Sequence, residues 1–191
     1  MRHLQAAGGT AITGAPAVAT RVAPYRWLCL GIGLVGFLLD LVVKNAVIAN
    51  LDPQHPIPLL GGLVTLQLTR NPGAAFSMGE NFTVLLTIIA IAALIAVLVF
   101  IVPRLRHVGW AVTIGCLLAG IAGNLTDRLF RDPGPFHGHV VDFIQLPNFA
   151  IFNVADMFIT AAAVIGIWLS MITQVSFDGT RLKETVKASD V

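Results

Sequence analysis

Two aspartates in the last third of the chain, Asp142 and Asp156, have the residue type and surroundings for acid–base chemistry. Asp156 opens an apolar run that continues past Trp168, where an ionised acid is costly and therefore indicates a functional site. If the two carboxylates approach closely, like-charge repulsion and desolvation leave one proton shared between them. One is then a base that activates water and the other an acid that protonates a carbonyl, which is the chemistry of aspartic proteases.

The spacing of this aspartate pair does not prove the chemistry. Pro147 argues against one continuous helix between the two acids, so the chain must fold back near Pro147 and Asn148 to bring them together. From the residues alone, a structural role and an ion-binding role remain as alternatives to a catalytic pair.

The composition defines the solvent around these acids. Of the 191 residues, 56% are hydrophobic and 12% are charged, with a mean hydropathy of +0.82, which is too little polar surface for an ordinary soluble domain. We therefore predict an integral membrane protein. The net charge of +2 does not indicate nucleic-acid binding. Cys29 and Cys116 lie inside apolar runs, where neither a disulfide framework nor a thiolate metal site is expected.

Four apolar runs predict an all-α membrane fold of four spanning helices: Trp27 to about Ala49, Phe82 to Val102, Val108 to about Phe130, and Phe149 to about Thr173. The link 103–107 is so short that the second and third helices must form an antiparallel hairpin. Basic residues gather at the two termini and in this link, whereas acidic residues lie near the opposite ends. The positive-inside rule then predicts cytoplasmic termini and a site near the outer face.

The connection between the first and second helices is too long for a simple turn. In it Val64, Leu66 and Leu68 alternate with polar residues, which predicts a strand. We expect a small sheet on the outer membrane surface, with its apolar face on lipid or on a lipid-bearing ligand; a lid over helix ends is the alternative. The predicted organisation is a flexible tail at 1–24, one four-helix membrane domain at 25–175 with an outer β-type insertion at 51–80, and a cytoplasmic tail at 176–191.

Polar residues inside the predicted helices are candidate supports of the site. Asp40 and Lys44 are one helical turn apart and can form an ion pair, for which we prefer a structural role. Gly120, Asn124 and Arg128 recur every four residues on one stripe of the third helix. Close helix packing explains the glycine, whereas the amide and the guanidinium should point inward, towards a group that needs donors.

A further cluster, Asn71-Pro72-Gly73-Ala74-Ala75-Phe76-Ser77, leads into the second helix. Its glycine suits a tight backbone passage, and its asparagine offers both a donor and an acceptor; a loop re-entering the membrane edge is the alternative. The residues predicted to orient the aspartate pair, a substrate backbone or a polar head group are Asn71, Asn124, Arg128 and Asn153.

Together these motifs resemble the lipoprotein signal peptidase (signal peptidase II) family. The resemblance rests on Asp40 with Lys44, the cluster 71–77, the stretch 120–128, Val140-Val141-Asp142-Phe143 and Phe152-Asn153-Val154-Ala155-Asp156, in the family's order. It implies a bacterial inner-membrane aspartyl protease, without metal or cofactor, that removes signal peptides from prolipoproteins just before a cysteine carrying diacylglyceryl. It also implies that Asp142 and Asp156 are the catalytic pair, within four spanning helices and a small outer sheet. The expected partners are lipid-modified prolipoproteins and membrane lipid, with the enzyme a monomer.

Two features depart from the family pattern. Met157 stands where a small residue, often serine, is expected, and the tail before Pro24 is longer than in compact members. Three other functions remain open: a proton-coupled transporter, a metal-dependent protease using His137 and His139 beside the first aspartate, and a non-catalytic assembly factor. Four spans without an internal repeat disfavour the transporter, and the lack of a His-Glu-x-x-His helix disfavours the metalloprotease.

Overall fold

The computed structural model describes residues 23–73 and 80–180. Predictions for most of the N-terminal tail, for residues 74–79 of the cluster 71–77 and the insertion, and for 181–191 lie outside these residues. Within the described residues, four helices are long and apolar enough to cross a membrane: Pro24–Asn50, Phe82–Arg104, Val108–Phe130 and Val154–Thr173. The predicted four-helix membrane fold is therefore confirmed.

Helices and strands follow one another along the chain as α1 (Ala23–Asn50), β1 (Ile57–Leu59), β2 (Val64–Asn71), α2 (Glu80–Ala96), α3 (Val108–Phe130), β3 (Val140–Gln145) and α4 (Val154–Ile167). The second and fourth spans are completed by wider π-helical turns at Val97–Ile101 and Trp168–Thr173. The strands and the aspartate pair all lie at one end of the bundle, which we call the sheet end. The links 103–107 and 174–180 lie at the opposite end.

Helix α3 is the centre of the bundle. Of its most apolar window, 61% is buried inside the protein, against 28% or less for the other three spans. Helix α1 can approach α3 closely because Gly115 has no side chain: a Cβ there would lie 2.8 Å from the carbonyl oxygen of Cys29. The outward faces carry exposed apolar side chains, such as Val35 (67% exposed) and Val164 (62%), as expected where lipid is the solvent.

The three strands form an antiparallel sheet in the order β1-β2-β3. Leu66 of β2 faces Ile57 of β1 and Ile144 of β3, and a bulge shifts the register before Thr69 meets Asp142. The strand predicted from alternation is thus present. The alternation did not predict β3, because its first four residues, 140–143, are all buried and show no polar–apolar period.

The apolar face of β2 is not wholly a lipid surface, which corrects the prediction. Leu68 is buried together with Val141 and Phe143, and the cluster packs against Val43 and Val47 near the end of α1. The far end of the hairpin differs: all three residues of β1 are exposed. The sheet therefore rests on the helix bundle at one end and is open at the other.

The fourth helix begins five residues later than the predicted Phe149. The chain turns at Pro147 and Asn148, and Phe152 then exchanges backbone hydrogen bonds with Ile144 of β3, N to O at 2.8 and 2.9 Å. These bonds keep Phe152 extended, so the helix begins only at Val154. The predicted fold-back between the two aspartates is confirmed.

The opposite end of the bundle has its own apolar core. Leu105 is fully buried there, and the indole Nε1 of Trp110 donates to the carbonyl of Val175 at 2.8 Å. The first residues of the predicted C-terminal tail fold back onto the link between α2 and α3, where the N–H of Arg106 donates to the carbonyl of Phe177 at 2.9 Å.

Candidate active site

The two aspartates come from different elements that the fold-back places side by side. Asp142 lies within β3, and Asp156 lies in the first turn of α4. Asn153 joins them. Its Nδ2 donates to Asp142 Oδ1 at 2.6 Å, and its backbone N–H donates to Asp156 Oδ2 at 3.1 Å.

Asn153 and Asp156 also form the cap of α4. The N–H of Asp156 donates to Asn153 Oδ1 at 3.0 Å, so that each of these residues satisfies a backbone N–H of the other in a capping box. The partial positive charge of the helix N-terminus favours a carboxylate at this position. The local sequence Asn-Val-Ala-Asp thus builds the helix start and part of the site together.

Asn124 of α3 supplies the second donor to Asp156. Its Nδ2 donates to Asp156 Oδ1 at 2.8 Å, and its Oδ1 accepts from Asn153 Nδ2 at 3.1 Å. The prediction that this amide points inward, towards a group that needs donors, is therefore confirmed.

Asn71 at the end of β2 supplies the second donor to Asp142. Its Nδ2 donates to Asp142 Oδ2 at 2.8 Å, and its Oδ1 accepts from the N–H of Gly73 at 2.8 Å. Gly73 adopts φ 103°, and a Cβ there would lie 2.8 Å from Leu86 Cδ1, so the chain passes tightly into α2. With this bond, every oxygen of the aspartate pair accepts an N–H.

Asp142 is the more enclosed acid, with 3% of its surface exposed. Desolvation raises the pKa of Asp142 to about 6, and the neighbouring Asp156 charge adds to the rise, while hydrogen bonds from Asn71 and Asn153 and the positive charge of Lys44 oppose it. A carboxyl group with this pKa can hold a proton under mildly acidic conditions, as a general acid must.

Arg128 lies one turn beyond Asn124 on α3. Its Nη1 donates to the carbonyl of Asn124 at 3.3 Å, and the aspartate pair lies within electrostatic range of the guanidinium. Its Nε is buried without a hydrogen-bond partner among the described residues. An unsatisfied donor beside two acids is available to a substrate.

The predicted pair of Asp40 and Lys44 is present, with Nζ 2.8 Å from Asp40 Oδ2. It belongs to a larger buried ion network, because Lys44 also lies 2.8 Å from Asp127 Oδ2, and Arg131 pairs with Asp127. Asp40, Lys44 and Asp127 are at most 1% exposed. We did not include Asp127 and Arg131 in the predicted site, although their i, i+4 spacing could have suggested a pair.

The carboxylates of this buried ion network also accept backbone N–H groups. Asp40 Oδ1 accepts from Ala155 at 2.8 Å, and Asp127 Oδ2 accepts from Val141 at 3.2 Å. Each donor belongs to the residue directly before one aspartate of the pair.

Gly120 sets the distance between α3 and α4. A Cβ at this position would lie 2.5 Å from the carbonyl oxygen of Ala155 and 2.5 Å from Ile159 Cγ1. Only a glycine therefore lets the first turn of α4 approach closely enough for Asn124 to reach Asp156.

An apolar groove of about 730 Å³ begins at the aspartate pair. Its lining comprises Leu146, Phe149, Phe152, Asp156, Met157, Thr160, Ala161, Val164 and Ile165. Asp156 is the only ionisable residue in this lining, and Met157 is 52% exposed along it. The groove thus joins a carboxylate to an apolar face of α4 that could bind lipid.

The two histidines near the first aspartate do not form a metal-ligand cluster within the described part of the chain, where no group of three His, Cys, Asp or Glu residues could hold an ion. His137 Nδ1 lies 3.0 Å from the carbonyl of Pro135. This arrangement gives no support to the metalloprotease alternative.

Comparison with known sequences gives a consistent result. The family model described as Signal peptidase (SPase) II matches residues 32–172. A lipoprotein signal peptidase of Streptomyces griseus subsp. griseus is 47% identical over 141 residues, covering 74% of this chain and 71% of the relative. Those of Rhodococcus jostii and Mycobacterium avium are 44% and 40% identical, covering 82% and 83% of this chain and 78% and 87% of the relatives.

Solved structures give the same fold. Two structures described as a bacterial membrane enzyme solved by the in meso method align with TM-scores of 0.61 and 0.62, both at 25% identity. They cover 76% and 75% of this chain, and the aligned regions are 88% and 92% of the two solved chains.

Proposed function

Because this chain belongs to the signal peptidase II family, we propose that Asp142 and Asp156 are the catalytic pair with which it removes signal peptides from prolipoproteins. Membership of the family makes the chain a peptidase and a multi-pass bacterial membrane protein. The observation that carries the aspartic mechanism is the shared environment of the two acids. Asn153 donates to both carboxylates, and every carboxylate oxygen has an N–H donor.

The reaction needs one ionised and one protonated carboxyl group. Asp142 is the better proton holder, because it is more enclosed and burial raises its pKa to about 6. Asp156 accepts two N–H donors at a helix N-terminus and borders the open groove, so it is suited to remain ionised and activate water.

The bond changes follow from this assignment. Asp156 removes a proton from water as the water oxygen bonds to the scissile carbonyl carbon, and Asp142 gives its proton to the carbonyl oxygen. The tetrahedral intermediate then collapses: its C–N bond breaks, the nitrogen takes the proton held by Asp156, and a hydroxyl proton returns to Asp142. Each acid ends in its initial state, so no further reactant is required.

The surrounding polar residues position the reacting groups. Asn71, Asn124 and Asn153 hold the carboxylates by fixed amide donors, and Arg128 offers its buried Nε to the substrate backbone. Gly120 allows α4 to approach, and the ion pair of Asp40 and Lys44 supports the site from α1.

The groove supports a cut next to a lipid-modified cysteine. A diacylglyceryl group holds its peptide at the membrane interface, and the apolar wall beside Asp156 can bind an acyl chain while the peptide lies at the acids. The exposed Arg26, Arg104 and Arg106 lie at the end opposite the site, which supports cytoplasmic termini and a site near the outer face of the inner membrane. We propose that residues 25–175 form the working unit as a monomer.

The decisive experiment is cleavage of a diacylglyceryl-modified prolipoprotein by purified protein in liposomes, with a chelator present. Asp142→Asn and Asp156→Asn should each abolish cleavage while remaining folded. Asp52→Asn is the matched control, because this carboxylate lies at the same end but is 55% exposed; it should cleave normally. Normal cleavage by either variant of the pair would refute the assignment.

A further inference from the structure

Lys44 has more contacts than an ion pair requires. An ammonium group has three N–H donors and cannot accept, and Lys44 places Nζ near three oxygens. These are Asp40 Oδ2 at 2.8 Å, Asp127 Oδ2 at 2.8 Å and Asn124 Oδ1 at 3.1 Å. The side chain is 0% exposed, so these contacts replace all of its hydration.

The contact with Asn124 decides which way this amide points. An asparagine can exchange its oxygen and nitrogen by a half-turn, so its orientation has to be fixed by its partners. In Asn71 and Asn153 a backbone N–H fixes the oxygen, from Gly73 and from Asp156 respectively. In Asn124 no backbone N–H among the described contacts plays this part, and Lys44 is the charged donor that holds Oδ1.

The two carboxylates beside Lys44 reach the aspartate pair through the main chain. Asp40 accepts the N–H of Ala155, directly before one catalytic residue, and Asp127 accepts the N–H of Val141, directly before the other. Both carboxylates are buried, and Lys44 lies between them. A single ammonium group is thereby connected to both halves of the site, although it touches neither acid.

We propose that Lys44 is a positioning residue: it orients Asn124 so that the amide donates to Asp156, and it holds the two carboxylates that fix the peptides before the aspartate pair. The inference deepens the proposed function and rests on it for its kinetic test. It replaces the structural role expected from the sequence with one that affects the chemistry.

The electrostatics give the direction of the effect. Lys44 faces Asp40 on its own helix, Asp127 from α3 and, at longer range, Asp142 from β3. The other charged groups around the site are Arg128 and Arg131 of α3 and Asp156 of α4. The positive charge of Lys44 lowers the pKa of Asp142, so its removal raises that pKa and shifts protonation of Asp142 to higher pH.

Two variants separate positioning from charge balance. Lys44→Met removes the charge and the donor to Asn124, whereas Arg131→Met removes a positive charge from the same buried ion network without touching that amide. A double variant, Lys44→Met with Asp40→Asn, restores the net charge of the network but still lacks the donor. Its melting temperature should recover most of what Lys44→Met loses.

The kinetic result distinguishes the two roles. With a diacylglyceryl-modified prolipoprotein, we expect Lys44→Met and the double variant to lower kcat by roughly 10-fold or more while KM changes by less than about 3-fold. Arg131→Met should keep kcat within about 3-fold of the wild type. Recovery of wild-type kcat in the double variant, or an equal loss in Arg131→Met, would show that Lys44 serves charge balance alone and would overturn the proposal.

A second readout does not depend on cleavage. Infrared difference spectra between each protein and its Asp142→Asn counterpart report the titration of this carboxyl group. Lys44→Met should move the midpoint to higher pH, and Arg131→Met should move it by a clearly smaller amount. Equal midpoints in Lys44→Met and the wild type would contradict the inference. If the wild type cleaves no prolipoprotein, the proposed function fails, whereas this titration still tests Lys44.

Discussion

The two ends of the helix bundle use charged residues in opposite ways. At the sheet end, Asp40, Lys44 and Asp127 are at most 1% exposed and are paired with one another. At the opposite end, Arg26 and Arg104 are exposed, and each donates to a main-chain carbonyl. Burying charge is costly even when it is paired, whereas exposed arginines at a membrane interface cost little. The difference indicates that the sheet end retains its charges for the site, and that the arginines serve topology.

The comparison predicts the largest effect for Asn153, which connects the two acids. Asn153→Ala removes a donor to Asp142 and the cap of α4, so activity should fall by roughly 100-fold and stability by about 1 kcal/mol. Cleavage rate and thermal unfolding measure the two losses. Asn50→Ala is the control, because this exposed amide donates only to the carbonyl of Ala46. Similar activity losses in both variants would contradict the role of Asn153.

The helix contact that delivers Asp156 is the next most sensitive feature. Gly120→Ala places a Cβ 2.5 Å from the carbonyl oxygen of Ala155, so α4 must move and activity should fall by roughly 10-fold or more. Gly31→Ala introduces the same methyl group on α1 where nothing lies within 4 Å, and it should raise helix stability slightly. Parallel assays of cleavage and melting temperature compare them. Wild-type activity in Gly120→Ala would show that the close approach is not needed.

Much of this site could be predicted from the sequence, because its residues follow local rules. Asp40 and Lys44 were predicted to pair from their i, i+4 spacing, and Pro147 indicated the fold-back that brings Asp142 and Asp156 together. The four spans followed from apolar length alone.

The remaining features depend on tertiary contacts. Strand β3 is buried on both faces and shows no alternation, so it was not predicted as a strand. The pairing of Lys44 with Asp127 joins residues of two helices that are distant in sequence. The late start of α4 follows from the backbone bonds between Phe152 and Ile144, which only the fold-back creates.

A smaller effect is expected from pH. The folded-state pKa of Asp142, raised to about 6, lies above its ordinary value of 3.8, so ionising this group costs stability in the folded protein. That cost is absent below about pH 4, grows as the pH rises towards 6 and is constant above it. Asp142→Asn removes the cost, so its melting temperature relative to the wild type should rise over this interval. Thermal unfolding in detergent from pH 4 to pH 8 measures the difference, and a difference independent of pH would contradict the raised pKa.

The smallest effect is expected at the opposite end. Arg104 donates to the carbonyl of Phe100 near the end of its own helix, in an exposed position where such contacts contribute less than about 1 kcal/mol. Arg104→Gln should therefore leave cleavage within about 2-fold of the wild type and the melting temperature nearly unchanged, because the interaction lies far from the aspartate pair. The cleavage assay and melting curve used for Gly120→Ala provide the measurement. A loss as large as that in Gly120→Ala would mean that the two ends are coupled through α3, and the separation between site charges and topology charges would fail.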